Sequence, residues 1–262
     1  GLVKKVLIAD SLADIVDPAF DSASAQGSLD FTRAWLAAFS FSWQIYFDFS
    51  GYSDMAIGLG MMFGYKLPVN FNAPYRAKCE RELWQRWHMT LTRFLRDYLF
   101  VPMARSKRIP HPRSLAILIT MFLAGLWHGA AWTFAIWGLA HGLALVINTA
   151  FTKAGWRLPR GMGWFLTMIF WTELCVLFRA DSFASATVLW EAMHGLSSVI
   201  APPKWSHLAM VVVAGMIAIL GPTSQEVSLE RLAPKKTYAV AVGVVITVML
   251  VLIGDGDTQE FY

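Results

Sequence analysis

Long blocks of apolar residues alternate along this chain with short polar clusters. Read by length and continuity, the blocks fall at residues 32–49, 51–65, 114–127, 130–150, 161–179, 206–221 and 237–254. A helix needs about 20 residues to cross roughly 30 Å of hydrocarbon. Several blocks are shorter than that, so the pattern predicts membrane helices of which some are tilted, broken or re-entrant. Residues 184–199 carry a weaker amphipathic pattern, and no internal repeat or low-complexity tract occurs. The fold class expected is all-α: a polytopic membrane protein of transmembrane, re-entrant and interfacial amphipathic helices, forming a single membrane-embedded unit over residues 1–262.

The polar clusters predict where the chain turns. FDFSGYSD, residues 47–54, sets Asp48, Ser50, Gly51, Ser53 and Asp54 between two apolar blocks. Gly permits a bend, and Ser or Asp can cap a following helix, so a break is expected there. LPVNFNAPY, residues 67–75, reads as an ordered loop. A basic segment follows from Arg76 to Arg113. Within it RELWQRWHMTLTRFLRDYL, residues 81–99, spaces Trp84, Trp87, His88, Leu91, Leu95 and Tyr98 as one face of a single helix, with Arg93, Arg96 and Asp97 largely on the other. Such a helix is expected to lie in the membrane interface. A positive-inside anchor accounts for its arginines, but not for His88 on the apolar face.

The basic segment places residues 76–113 in the cytoplasm. From there Ser114–Trp127 gives about 21 Å of helix, short of the hydrocarbon thickness, so His128 is expected inside the membrane. Gly129 and a helix over Ala130–Ala150 return the chain to a second basic set, Lys153, Arg157 and Arg160.

Composition strengthens this picture. The chain is 56% hydrophobic and only 15% charged, against roughly 45–50% and 25% in soluble domains. Its mean hydropathy is +0.48. The net charge of +4 comes from clusters between apolar blocks, which argues against nucleic acid as a partner. Two cysteines, Cys79 and Cys175, give neither a disulfide framework nor a metal-binding spacing. The opening GLVKKVLIADSLADIV is too polar for a signal peptide. With Gly1 rather than Met at its head, the chain reads as a piece of a longer protein.

The candidate chemistry centres on LAGLWHGAAW, residues 123–132, where His128 sits inside apolar sequence. Burying an unpartnered polar group costs roughly 2–7 kcal/mol, and an intramembrane ionisable residue is by default a candidate functional group. Its place between Trp127 and Gly129, at an expected helix break, gives a substrate room to approach. Imidazole suits proton abstraction near neutral pH. His88 is the second candidate. His141 is expected to pack or to hydrogen-bond between helices, and His111, His194 and His207 lie near loops or block ends. No metal motif, nucleophile elbow, P-loop or dinucleotide fingerprint occurs. The glycines of AIGLGMMFG have helix packing as their ordinary explanation.

Three blocks, YFDFSGYSDMAIGLGMMFGY, NFNAPYRAKCERELWQRWHMTLTRFLRDYLFVP and LAGLWHGAAWTFAIWGLAHGL, together with GLVKKVLIADSLA and LFRADSFASA, resemble the membrane-bound O-acyltransferase (MBOAT) family in its bacterial alginate O-acetylation branch. The resemblance covers most of residues 1–190, and family members are nearly twice this long. It implies a catalytic histidine in the Trp-His-Gly element, His128, and a second functional one in the Arg-Trp-His element, His88. Trp127, Trp84, Trp87, Arg86, Asp48, Asp54 and Asn72, which lie in the matching blocks, are the candidates for holding the acyl donor. The resemblance further implies cytoplasmic acetyl-CoA as that donor, with no bound cofactor or metal. A periplasmic SGNH-type partner would finish transfer to a polysaccharide hydroxyl. The expected location is the bacterial inner membrane, multi-pass in the lipid bilayer. Acylation of another envelope polymer, such as peptidoglycan, cellulose or D-alanylated teichoic acid, is the related alternative. A transporter relaying protons through His88 and His128, or a structural membrane subunit, is the alternative of a different class.

Overall fold

A computed structural model describes residues 1–107, 111–196, 202–231 and 236–255 of the chain. Arg108 of the basic segment, the end of the weak amphipathic block at 197–199 and the C-terminal GDTQEFY lie outside these residues. Among the described residues every regular element is helical. A π-helical stretch, Val3–Ala9, runs into α1, Asp10–Ser24. Leu12, Ile15, Val16, Ala19, Phe20 and Ala23 are buried at helical spacing, and this stripe packs along α2, Phe31–Met62. No apolar block is predicted over this opening stretch, which is too polar for a signal peptide. Its polar residues fall on the far side of the stripe or pair with α2.

The bend expected at residues 47–54 is absent: α2 runs unbroken for 32 residues, about 48 Å at 1.5 Å per residue. The polar residues there face another helix instead of ending their own. Asp48 pairs with Lys5 at 2.9 Å, and Lys5 also meets Asp10 at 3.0 Å. Asp54 pairs with Lys4 at 2.7 Å and accepts from the Ser224 hydroxyl. Gly51 serves close approach: a Cβ there would stand 3.0 Å from the Gly1 carbonyl oxygen and 3.2 Å from Lys4 Cβ. Such charges stay buried because each has a partner.

The ordered loop at 67–75 closes with a 3-10 turn, Pro74–Arg76. The single interfacial helix expected over residues 81–99 is instead cut in two, α3 (Glu80–Arg86) and α4 (Met89–Leu95). A π-helical turn, Arg96–Phe100, and α5, Val101–Ala104, follow. The cut has a local cause. The loop binds the backbone on both sides of it: Asn72 N donates to Arg86 O, and Met89 N donates to Asn70 O, both at 2.9 Å. Trp84 and Trp87 meanwhile turn into the protein core among Trp171, Tyr46, Phe71 and Tyr75. Tertiary burial of two indoles outweighs the helical propensity of the segment. Tyr98, counted with the apolar face, is exposed, as is Phe94 beside Arg93.

The expected hairpin forms from α6, Pro112–His128, and α7, Trp132–Lys153. A Cβ on Gly125 would collide with the Phe134 carbonyl, and one on Gly138 with the Met121 carbonyl. Here small residues let two helix backbones touch. The glycines of AIGLGMMFG do not do this. Gly58 has nothing within 4 Å, and Gly60 backs onto Leu67 of its own following loop.

Helix α8, Arg160–Arg179, packs on α2 and α7; α9, Phe183–Met193, starts from a reciprocal Ser182–Ser185 cap. Helix α10, Trp205–Leu220, lies along α2. Its last carbonyls, Ile219 and Leu220, and that of Gly221 accept from the Arg76 guanidinium. Cations are favoured at such an end, so Arg76 is a structural cap as well as a basic anchor. Helix α11, Lys236–Asp255, follows. By length and apolarity α7 and α8 can each cross a membrane, while α6 and α10 are apolar but shorter.

Candidate active site

His128 is the last residue of α6, and the chain beyond it, Gly129 to Ala131, is extended before α7 begins. The expected break is therefore real, and it arises because α6 and α7 must reverse within three residues to keep their glycine contact. The His128 ring sits in an aromatic cradle. Trp127, Trp137 and Phe178 approach it roughly edge-on, with centroids at 5.0, 5.4 and 5.0 Å, and Phe134 lies at 6.2 Å. Among the described residues the ring makes no hydrogen bond, and the residue is half-buried. Packing against these rings orients its nitrogens. Phe178 comes from α8, within the LFRADSFASA block, so three helices, α6, α7 and α8, meet at this point.

His88 lies at the cut between α3 and α4, with its backbone in the left-handed region at φ +40°. A histidine in that region is held by its surroundings. Phe49 of α2 packs against its ring at 4.7 Å, T-shaped, and Phe71 stacks at 6.5 Å. Nδ1 is 3.1 Å from Asn70 Oδ1. Burial pulls the His88 imidazole down to about 4, so it is neutral at physiological pH. The exposed indole of Trp127 contacts His88 at 6.1 Å and His128 at 5.0 Å. One ring therefore touches both candidate histidines, which are 40 positions apart in sequence.

The remaining candidates divide by place. Trp84 and Trp87 stand in the buried aromatic layer behind His88. Arg86 is bound to Glu82 and to the Asn72 carbonyl, on the outer side of the cut. Asn72 is exposed, and its backbone serves the splint. Asp48 and Asp54 are engaged with Lys5 and Lys4 on the face of α2 that meets the N-terminal helix.

Two groups escaped sequence reasoning. Asn70 bonds the His88 ring, whereas Asn72 beside it does not; nothing in NFN distinguishes them before the loop is folded. Glu80, an acidic residue within the basic segment, is buried and accepts from Trp84 Nε1 at 2.8 Å, with His141 Nδ1 at 2.5 Å. His141 is thus an interhelical hydrogen-bonding residue, joining α7 to α3. Among the described residues no group of histidine, cysteine, aspartate and glutamate is placed to hold a metal ion.

Comparison with known proteins gives this arrangement a family. The membrane-bound O-acyltransferase family model matches residues 1–187. A peptidoglycan O-acetyltransferase of Helicobacter pylori is 45% identical over 205 residues, which cover 76% of this chain and 38% of that protein. A probable alginate O-acetylase AlgI of Pseudomonas aeruginosa is 42% identical over 199 residues, 76% of this chain and 38% of that one. A teichoic acid D-alanyltransferase of Streptococcus thermophilus is 30% identical over 161 residues, 58% and 39% respectively. The matched part of the chain thus spans well under half the length of these relatives. With both candidate histidines, the Trp127 ring between them and the α6–α7 hairpin all inside the matched residues, the chain belongs to the membrane-bound O-acyltransferase family.

Proposed function

We propose that this chain carries the catalytic histidines of an acyltransferase that O-acetylates a cell-envelope polysaccharide. The observation that carries the reading is the pairing of His88 and His128 about Trp127, with the His128 nitrogens making no hydrogen bond among the described residues at the broken end of α6. The donor in this reading is cytoplasmic acetyl-CoA. The acceptor hydroxyl oxygen attacks the thioester carbonyl carbon while the His128 imidazole takes the hydroxyl proton. The C–O bond forms, the tetrahedral adduct collapses, the C–S bond breaks, and the departing thiolate receives the proton. A thioester is already activated, so the weak hydroxyl is the partner that needs the base. Positioned proton transfer supplies about 10²–10⁴-fold in rate. The aromatic cradle keeps out water that would hydrolyse the donor. His88 relays the proton or orients the donor.

Acetyl transfer is preferred to D-alanyl transfer because the relatives of higher identity and coverage are named for O-acetylation. Alginate and peptidoglycan are the final acceptors those names suggest; a periplasmic SGNH-type partner finishes transfer to them of the acetyl group first taken by the attacking hydroxyl. The chain lies in the bacterial inner membrane and crosses it several times. The test is transfer of labelled acetyl from acetyl-CoA by the full-length protein in proteoliposomes. Transfer is expected, and it is lost in His128→Asn while the protein stays inserted. Near wild-type transfer by a well-inserted His128→Asn protein overturns the reading.

A further inference from the structure

The loop that splints the cut helix also decides which nitrogen of His88 is basic. Asn70 Oδ1 accepts from the Thr90 backbone N–H at 3.2 Å and from the Thr90 hydroxyl at 2.9 Å. A backbone N–H can only donate, so the atom facing it is the amide oxygen, and the orientation of the Asn70 side chain is settled. Asn70 Nδ2, on the other side, donates to Ser53 Oγ of α2 at 3.3 Å. The same Oδ1 lies 3.1 Å from His88 Nδ1. An amide oxygen has lone pairs and no proton, so the hydrogen in that contact belongs to Nδ1. Thr90 Oγ1 is also 3.4 Å from Nδ1. Its proton is already committed to Asn70, so it cannot supply a competing hydrogen bond to a bare Nδ1.

We infer that Asn70 is a positioning residue that holds His88 as the Nδ1–H tautomer and so leaves Nε2 as the nitrogen with the free lone pair. The inference rests on the catalytic reading of His88 above. It gives that reading its chemical direction: proton relay or donor contact runs through Nε2. Three sets of contacts, to α2 and to the head of α4, fix the device. The Asn70 backbone carbonyl bonds Met89 N at the head of α4, its side-chain nitrogen is tied to α2, and its oxygen holds His88 and Thr90. Phe49 and Phe71 keep the ring from turning over. A flip of the imidazole would put a carbon where Nδ1 now donates, and the contact would be lost.

The test reads the tautomer directly. The full-length protein, ¹⁵N-labelled at histidine and held in lipid nanodiscs at neutral pH, is examined by ¹⁵N NMR, with the His88 signals assigned by their loss in His88→Gln. A protonated Nδ1 and a bare Nε2 are expected; a protonated Nε2 with a bare Nδ1 overturns the inference. Asn70→Leu removes the acceptor and is expected to give mixed tautomers with kcat lower by about tenfold or more and the donor KM little changed. Asn70→Asp keeps an acceptor oxygen and is expected to keep the Nδ1–H form. A wild-type tautomer ratio in Asn70→Leu also overturns the inference, and the wild-type spectrum decides the matter if that variant does not insert. Failure of the functional reading looks different: full transfer by His88→Gln would remove the catalytic role while leaving the wild-type tautomer as measured.

Discussion

Glu80 and His141 meet 2.5 Å apart inside the protein, and through them α3 is fastened to α7. Both side chains are almost wholly buried among Trp84, Trp137 and Trp171. Trp84 Nε1 donates to the same Glu80 oxygen. Removing one partner strands the other as a buried polar group, whereas removing both leaves only the Trp84 indole N–H without its acceptor. His141→Phe or Glu80→Met alone is therefore expected to lower unfolding stability by about 1–3 kcal/mol. The double variant should cost less than the two single costs together by about 0.5–3 kcal/mol. Thermal unfolding of the four proteins in one detergent measures the coupling; strict additivity would mean the pair holds nothing together.

This pair also marks how far the sequence could be read. Apolar block length located α7, α8, α10 and α11 and the α6–α7 hairpin, because long apolar runs have few ways to fold. It misread two polar interruptions. The residues around Gly51 looked like a bend because their partners, Lys4 and Lys5, lie on another helix, more than 40 positions away. The stretch at 81–99 looked like one helix because the hydrogen bonds that cut it come from Asn70 and Asn72 on a loop. His88 and His128 could be singled out as polar residues in apolar settings. That Trp127 touches both, and that Asn70 rather than Asn72 holds His88, depends on contacts between distant segments that no periodicity encodes.

The neutral His88 has a consequence for pH. Its ordinary value is about 6.5, and burial brings it to about 4 in the folded protein. The unfolded chain therefore binds more protons between these values, and stability falls as pH drops through that window. The contribution is fully present above about 6.5 and is lost as pH falls to about 4. His88→Gln is expected to flatten this part of the dependence of Tm on pH. An unchanged slope between pH 6.5 and 4 in the variant would place the titration elsewhere.

Topology can be read from a single thiol. Cys79 is half-buried at the head of α3, within the basic segment assigned to the cytoplasm, while Cys175 is buried in α8. In a full-length protein whose other added cysteines are replaced, a membrane-impermeant maleimide should label Cys79 in inside-out vesicles and leave it unlabelled in intact cells. Labelling from the periplasmic face would invert the assignment of residues 76–113 and put the acyl donor on the wrong side.

The hairpin that presents His128 depends on two helices touching backbone to backbone. Gly138 faces the Met121 carbonyl and Gly125 faces the Phe134 carbonyl, so neither can carry a side chain unless α6 and α7 move apart. Overpacking of this kind costs about 1–3 kcal/mol. Because His128 ends α6 and is gripped from α7 by Phe134 and Trp137, separation of the helices also disturbs its cradle. Gly138→Leu is expected to lower Tm and to reduce acyl transfer more than stability alone explains, at a temperature where the variant is still folded. Gly58, on the open side of α2 with nothing within 4 Å, supplies the control. Gly58→Ala places a methyl group where no packing is disturbed, and a good helix former replaces a poor one, so stability should hold or rise by up to about 1 kcal/mol. If Gly138→Leu and Gly58→Ala behaved alike in both measurements, close approach of α6 and α7 would not be what positions His128.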